Sequence, residues 1–158
     1  KGYDRPLIVQ RTFSKAYGLA GLRIGYAITQ PALADAIMKA CQAWNYSGPG
    51  LLACEAALDY QDYIKKVKAL NIENRNYVAG ELKQLGFEVV PPAANFIFFG
   101  IPEDATVEER EKMDPVRVKN ELAERKILIG APNGHNRVSI GTAEECKMFI
   151  AAMKEIVR

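Results

Sequence analysis

At 158 residues the chain is long enough for one ordinary domain with its own hydrophobic core. Apolar residue types make up 49% and the formal net charge is +2. These values fit a globular fold and leave no large basic field for nucleic acid or an anionic membrane surface. No apolar run reaches bilayer length, and the polar start Lys1–Arg5 lacks the apolar core of a secretory signal, so a soluble cytoplasmic protein is expected. Three widely spaced cysteines, Cys41, Cys54 and Cys146, suit neither a disulfide framework nor a zinc site. They read as reduced, apolar fillers of helical stretches. The single histidine, His135, sits in a Pro-Asn-Gly-His loop without a metal-ligating neighbour, and no metal site is expected.

Along the chain, Leu7 to Gln10 is a short β-prone run, and Arg11 to Leu22 is polar and punctuated by glycine. Arg23 to Thr29 reads as a second strand. Gln30-Pro31 opens a helix, because proline at the first helical position forfeits an N–H that has no partner there. Apolar residues at Leu33, Ile37 and Ala40 or Cys41 keep the helical period. Asn45 to Gly50 is a loop signal. A helical stretch from about Leu51 to Leu85 follows, kinked or divided near Asp59 to Asp62 and closed by Gly86. Phe87–Val90 and Asn95–Phe99 read as strands around Pro91-Pro92. Residues 102–114 are a charged surface loop or short exposed helix. Asp114-Pro115 starts a helix to about Arg125. Ile127–Ile129 and Val138–Ile140 read as short strands, and Thr142-Ala143-Glu144-Glu145 is a capping box for a last helix. Residues 1–30 resemble two strands cut from a larger sheet, since two strands cannot bury their own faces. Residues 61–158 can build a core.

The stretch that carries chemistry is Thr12-Phe13-Ser14-Lys15-Ala16-Tyr17-Gly18-Leu19-Ala20-Gly21-Leu22-Arg23-Ile24-Gly25-Tyr26. A lone lysine is ordinarily a solvated charge. Here it lies between a β-run and a glycine-rich turn, beside two hydroxyls, with an arginine eight residues on at the start of another strand. Strand ends with adjoining loops are where α/β folds place ligands. Hydroxyls and an arginine suit a phosphate, and a lysine beside them can form an imine with an aldehyde cofactor. The glycines match neither a dinucleotide fingerprint nor a P-loop, and turn geometry accounts for them.

Ser14 to Tyr26 is similar to the cofactor-lysine signature of class I and II aminotransferases. It resembles most the histidinol-phosphate branch, S-K-A-[FY]-x-L-A-G-L-R-x-G-[FY]. Asn95-Phe96-Ile97 resembles that family's Asn-Phe-Ile/Leu strand. Arg137-Val138-Ser139-Ile140-Gly141-Thr142-Ala143-Glu144-Glu145 resembles its R-[IV]-[ST]-x-G-T-x-E-E segment. The resemblance implies an α/β chain forming the C-terminal part of the aspartate aminotransferase-like fold of pyridoxal-phosphate-dependent transferases. Residues 1–30 would end the large-domain sheet, 31–60 form interdomain helices, and 61–158 form an α+β small domain with a mostly antiparallel sheet. It implies pyridoxal phosphate held covalently by Lys15, which also moves the substrate's α-proton. Thr12, Ser14 and Arg23 would bind the cofactor phosphate, Arg137 would clamp a substrate carboxylate, and Asn95 would line the substrate pocket. The implied substrates are an amino acid or amino-alcohol phosphate with glutamate and 2-oxoglutarate, in a homodimer. Tyr17, Tyr26 and Tyr46 read as packing residues.

Two departures from the pattern qualify these expectations. Only fourteen residues precede Lys15, so the aspartate expected to pair with the pyridinium nitrogen is missing, and Asp4 stands too near. The chain alone is therefore expected to be inactive and to self-associate through its uncovered strands. Where the histidinol-phosphate branch often carries arginine, the sequence reads Ile127-Leu128-Ile129-Gly130, which leaves other amino acids, aromatic ones included, open as substrates. A phospho-amino-acid decarboxylase with the same lysine motif, or a non-catalytic self-associating fragment, are the other readings.

Overall fold

In the computed structural model, which describes residues 5–157, Val9–Thr12 (β1) pairs antiparallel with Gly25–Ile28 (β2), from Val9↔Ile28 to Thr12↔Gly25. Lys1 to Asp4 lie outside the described residues, so most of the polar start and Asp4 itself are not placed. The chain divides into two compact units, Lys1–Lys68 and Ala69–Arg158.

In the first unit β1 begins two residues later than the β-prone run suggests, and both strands are exposed throughout. Gly25 is required where they meet, because a Cβ there would lie 2.7 Å from the Arg11 carbonyl oxygen. The connection closes in a turn, in which the Gly18 N–H donates to Lys15 O at 2.9 Å with Gly18 at φ +70°, and then in a 3-10 turn at Ala20–Leu22. Phe13, Ile24 and Cys54 form a small core, with Tyr17, Leu19 and Leu22 against it.

Gln30 and Pro31 open α1 (Pro31–Ala40) as read from the sequence. Cys41 caps its C-terminal end and is exposed, not a buried filler like Cys54 and Cys146. The loop signal at Asn45 to Gly50 runs too far. Gly48–Ala57 is α2, nucleated by Ser47, whose Oγ accepts the Gly50 N–H at 3.1 Å, with Pro49 in the first turn. The long helical stretch is indeed divided, by the turn Leu58–Tyr60 ahead of α3 (Gln61–Gln84).

In the second unit Gly86 (φ +90°) ends α3. Gly86 N–H donates to Lys83 O and Phe87 N–H to Leu82 O, the paired bonds of a Schellman cap. The sheet is three-stranded and antiparallel, ordered β3 (Glu88–Val89), β4 (Phe96–Gly100), β5 (Asn136–Ser139). Alternation sorts its faces. Val89, Ile97, Phe99, Asn136 and Val138 are buried, whereas Val90, Phe96, Arg137 and Ser139 are exposed. The buried face joins Val78 and Leu82 of α3, Val118 and Leu122 of α5 (Pro115–Glu124), and Phe149, Ile150 and Met153 of α6 (Ala143–Ile156) in one core. Phe99 is its aromatic centre, edge-on to Phe87 at 5.2 Å and near Phe149 at 6.4 Å.

The charged segment holds α4 (Val107–Lys112), started by a Thr106–Glu109 capping box that its composition obscures. The Thr106 backbone N–H holds the Glu109 carboxyl below its ordinary range. Asp114 caps α5 by accepting the Arg117 N–H at 2.7 Å, and Thr142 with Glu145 boxes α6, both as expected. Buried Asn136 donates from Nδ2 to Pro115 O at 2.9 Å, fastening β5 to the start of α5. Burial pushes the Cys146 thiol up, away from thiolate reactivity.

Ile127–Ile129 is not a strand. Lys126 takes the left-handed conformation (φ 62°) that Gly86 supplies to α3, and the Ile127 N–H is used on Leu122 O at the end of α5. The side chains of Ile127 and Ile129 pack on the core, and only Gly130 pairs, with Arg137.

Candidate functional site

In the first unit, Lys15 sits just beyond β1 in the turn that Gly18 closes. Its side chain is exposed on an open groove of about 680 Å³ lined by Thr12, Lys15, Ala16, Gly25 and Tyr26, with Gln10 and Arg11 beyond. Thr12 Oγ1 accepts the Ser14 N–H at 3.0 Å, which folds the chain tightly into the turn and leaves the Thr12 hydroxyl hydrogen free to donate. The Phe13 N–H donates to Ile24 O at 3.3 Å, carrying the pairing one step past Thr12↔Gly25. The next residues along the two segments are Ser14 and Arg23.

Arg23 is held in a left-handed conformation, φ 56° and ψ 36°, uncommon for a residue with a Cβ. Its backbone N–H (3.3 Å) and Nη1 (2.8 Å) both donate to Ala20 O, which fixes the guanidinium against the 3-10 turn. Strain of this kind persists where surrounding contacts enforce it and gathers at functional sites. Arg23 lines a depression with Ile24, Gly25, Asn45, Tyr46 and Leu51, which shares Gly25 with the lysine groove.

In the second unit, Asn95 and Arg137 come to one sheet. The Asn95 carbonyl accepts the Ile140 N–H at 2.9 Å just beyond the Phe96↔Ser139 pair. Arg137 pairs with Phe98 on one side. On its other side its N–H donates to Gly130 O (2.9 Å) and its carbonyl accepts the Gly130 N–H (3.0 Å). Its guanidinium carbon lies 5.4 Å from the Phe96 ring centroid. Among the described residues Arg137 has no carboxylate within 4.0 Å. No metal-ligating cluster occurs among the described residues, and no helix there is long and apolar enough to cross a membrane.

The profile of the family described as aminotransferase class I and II matches residues 1–153. The chain belongs to the class I and II aminotransferase family. It is 38% identical over 151 residues to histidinol-phosphate aminotransferase 2 of Methylococcus capsulatus, a match covering 96% of this chain and 39% of that protein. The crystal structure of histidinol-phosphate aminotransferase from Sinorhizobium meliloti, solved with pyridoxal-5'-phosphate, superposes with a TM-score of 0.80 at 32% identity, over 96% of this chain and 41% of that one. Aspartate aminotransferase from Thermotoga maritima shares the fold, with a TM-score of 0.76 at 23% identity over 99% of this chain and 41% of that one. The chain thus spans about two fifths of the length of the proteins it matches, in keeping with the C-terminal portion of an aminotransferase that its motifs imply.

This aminotransferase segment keeps Thr12 at the end of β1, with Ser14 and Lys15 in the turn that follows. Arg23, expected to open the second strand, instead ends the 3-10 turn in a left-handed conformation two residues before β2. Asn95 and Arg137 come to one sheet. Tyr17 and Tyr26 pack on Phe13 at 4.9 and 6.0 Å, as expected of packing residues. Tyr26 in addition lines the lysine groove. Tyr46 does not pack. It is exposed and stands beside Arg23 with Asn45. The sequence signal for Tyr26 is its place as the last residue of the lysine motif, and the hairpin sets it opposite Arg11. Asn45 and Tyr46 sit in what composition marks only as loop.

Proposed function

We propose that this chain is the segment of a pyridoxal-phosphate-dependent aminotransferase, histidinol-phosphate aminotransferase-like, that carries the cofactor lysine and the substrate-carboxylate arginine. The observation that supports this most is the Lys15 amine exposed on a groove with the Thr12 hydroxyl, inside the segment matched to the family. The donor set fits a phosphate-bearing aldehyde: an exposed primary amine, a hydroxyl hydrogen at Thr12, the Ser14 hydroxyl, and an arginine whose Nη2 is not used on Ala20.

When bound, pyridoxal phosphate supplies an electron sink for charge that develops at a substrate's α-carbon. Lys15 Nζ would hold the cofactor, and its amine would take and return the substrate's α-proton. Arg23, Thr12 and Ser14 hold the phosphate. Arg137 grips the α-carboxylate through a planar fork that a lysine ammonium does not reproduce, and Asn95 lines the pocket. Residues 1–30 end the large domain, 31–60 form interdomain helices and 61–158 form the small domain. The parent enzyme is a cytoplasmic homodimer, and the 158-residue chain by itself is inactive.

A choice of substrate rests on Ile129. Its side chain packs against the core, and Ile127–Gly130 carries no cation. A charged contact to a substrate phosphate is worth about 1.5–3 kcal/mol, so aromatic amino acids belong beside histidinol phosphate in any substrate panel. The test is product analysis of the full-length enzyme with such a panel and 2-oxoglutarate. Glutamate formed in step with substrate consumption, without carbon dioxide, is the expected outcome. Carbon dioxide release would make the protein a decarboxylase, and steady transamination by the 158-residue chain alone would overturn the half-site reading.

A further inference from the structure

The backbone of Arg137 is fixed, since it lies opposite Phe98 of β4 and both its N–H and its carbonyl are bonded to Gly130. Its side chain is not. Among the described residues the guanidinium makes no hydrogen bond and no ion pair, and the contact that orients it is the Phe96 ring, 5.4 Å from centroid to Cζ. The sheet register makes this contact systematic. Phe96 pairs with Ser139, and Arg137 is two residues from Ser139, so Phe96 and Arg137 share a face as diagonal neighbours. Phe96 is 37% exposed, leaving its ring open to the guanidinium. The neighbouring aromatic, Phe98, is engaged elsewhere. It stacks on the His135 ring at 4.7 Å and 15°, and that ring lies over Gly100, where a Cβ would come within 2.6 Å of His135 Cδ2.

We infer that Phe96 is a positioning residue whose ring holds the Arg137 guanidinium in place to receive the substrate's carboxylate. The inference rests on the carboxylate-binding reading of Arg137. The chemistry favours this division of labour. A guanidinium stacked by its face keeps its N–H edges free for a bidentate carboxylate. An arginine side chain that is already ordered gives up less rotamer freedom on binding. Phe96 also follows directly on Asn95, whose carbonyl is fixed by the Ile140 N–H.

The test uses the chain itself, with glutarate as the carboxylate probe and the Arg137 Nε–Hε NMR signal as the readout. In the wild type, glutarate is expected to move that signal saturably, from a starting position displaced by the Phe96 ring current. Phe96→Leu and Phe96→Met are expected to abolish the ring-current displacement and to weaken glutarate binding about two- to five-fold, the range of an exposed cation–π contact. Phe96→Tyr is expected to restore both, which a purely structural role would not require, and the sheet amide signals report whether each variant is folded. Wild-type affinity in folded Phe96→Leu and Phe96→Met overturns the inference. A ring-current displacement with no saturable glutarate response in the wild type overturns the carboxylate reading beneath it.

Discussion

Lys15→Ala in the full-length enzyme is expected to lower the rate of amino transfer by at least about 10²–10⁴-fold, the contribution of a positioned general acid–base group. Melting should be almost unchanged. The reason lies in where Lys15 stands. Its side chain is exposed, and the turn around it is held by backbone bonds, Gly18 N–H to Lys15 O and Leu19 N–H to Phe13 O. The adjacent core of Phe13, Ile24 and Cys54 does not include it. Surface substitutions of this kind stay within about 0.5 kcal/mol. Initial rates and thermal unfolding on the same preparation separate the two effects. A rate within ten-fold of wild type would remove Lys15 from the chemistry, and a large loss of stability would mean that the turn needs the lysine for folding.

Phe99→Ala is expected to produce the opposite pattern, destabilising the second unit by about 3–5 kcal/mol. Phe99 is fully buried, with Phe87 and Phe149 around its ring and Ile97 beside it on the same face of β4. The loss is a large part of the ~5–15 kcal/mol that holds a domain folded. With a urea m-value of ~1–3 kcal/mol/M it moves the unfolding midpoint by one molar or more. Phe96→Leu, three residues earlier on the opposite face, serves as the control and is expected to cost under about 1 kcal/mol. Equal losses at the two positions would mean that the faces of β4 have been assigned wrongly.

The contrast between Phe96 and Phe99 also marks what was legible in the sequence. Strand existence, helix starts and the lysine motif follow from local chemistry. Asp114 and the Thr142–Glu145 box announce helix N-termini because the capping groups are encoded next to the N–H groups they satisfy, and Pro31 does so because it has no N–H to leave unpaired, so each signal is local. Gly86 announces the end of α3 for the same reason. The misreadings have physical causes as well. Lys126 adopts a left-handed cap that nothing in its side chain advertises, so the three apolar residues after it look like a strand although the first N–H is already used by α5. Ser47 turns a Gly-Pro-Gly run into a helix N-terminus by a single hydroxyl contact. Which of two adjacent phenylalanines faces the core, and that Arg137 lies on Phe96, depend on the register of β4 against β5. That register is set by long-range pairing and by no local pattern.

The candidate site itself was legible as a motif and not as a geometry. Thr12, Ser14, Lys15 and Arg23 lie close in sequence and fall around one hairpin end. Asn45 and Tyr46, which line the depression beside Arg23, carry no comparable signature.

The most direct measurement is borohydride trapping. Pyridoxal phosphate is added to the wild-type chain and to Lys15→Ala, imine absorbance is recorded, and the reduced protein is mapped by peptide mass spectrometry. A pyridoxyl group concentrated on Lys15, and lost in the variant, is the expected result. Weak label spread over many lysines, equal in the two proteins, would contradict the assignment of Lys15 as the cofactor lysine.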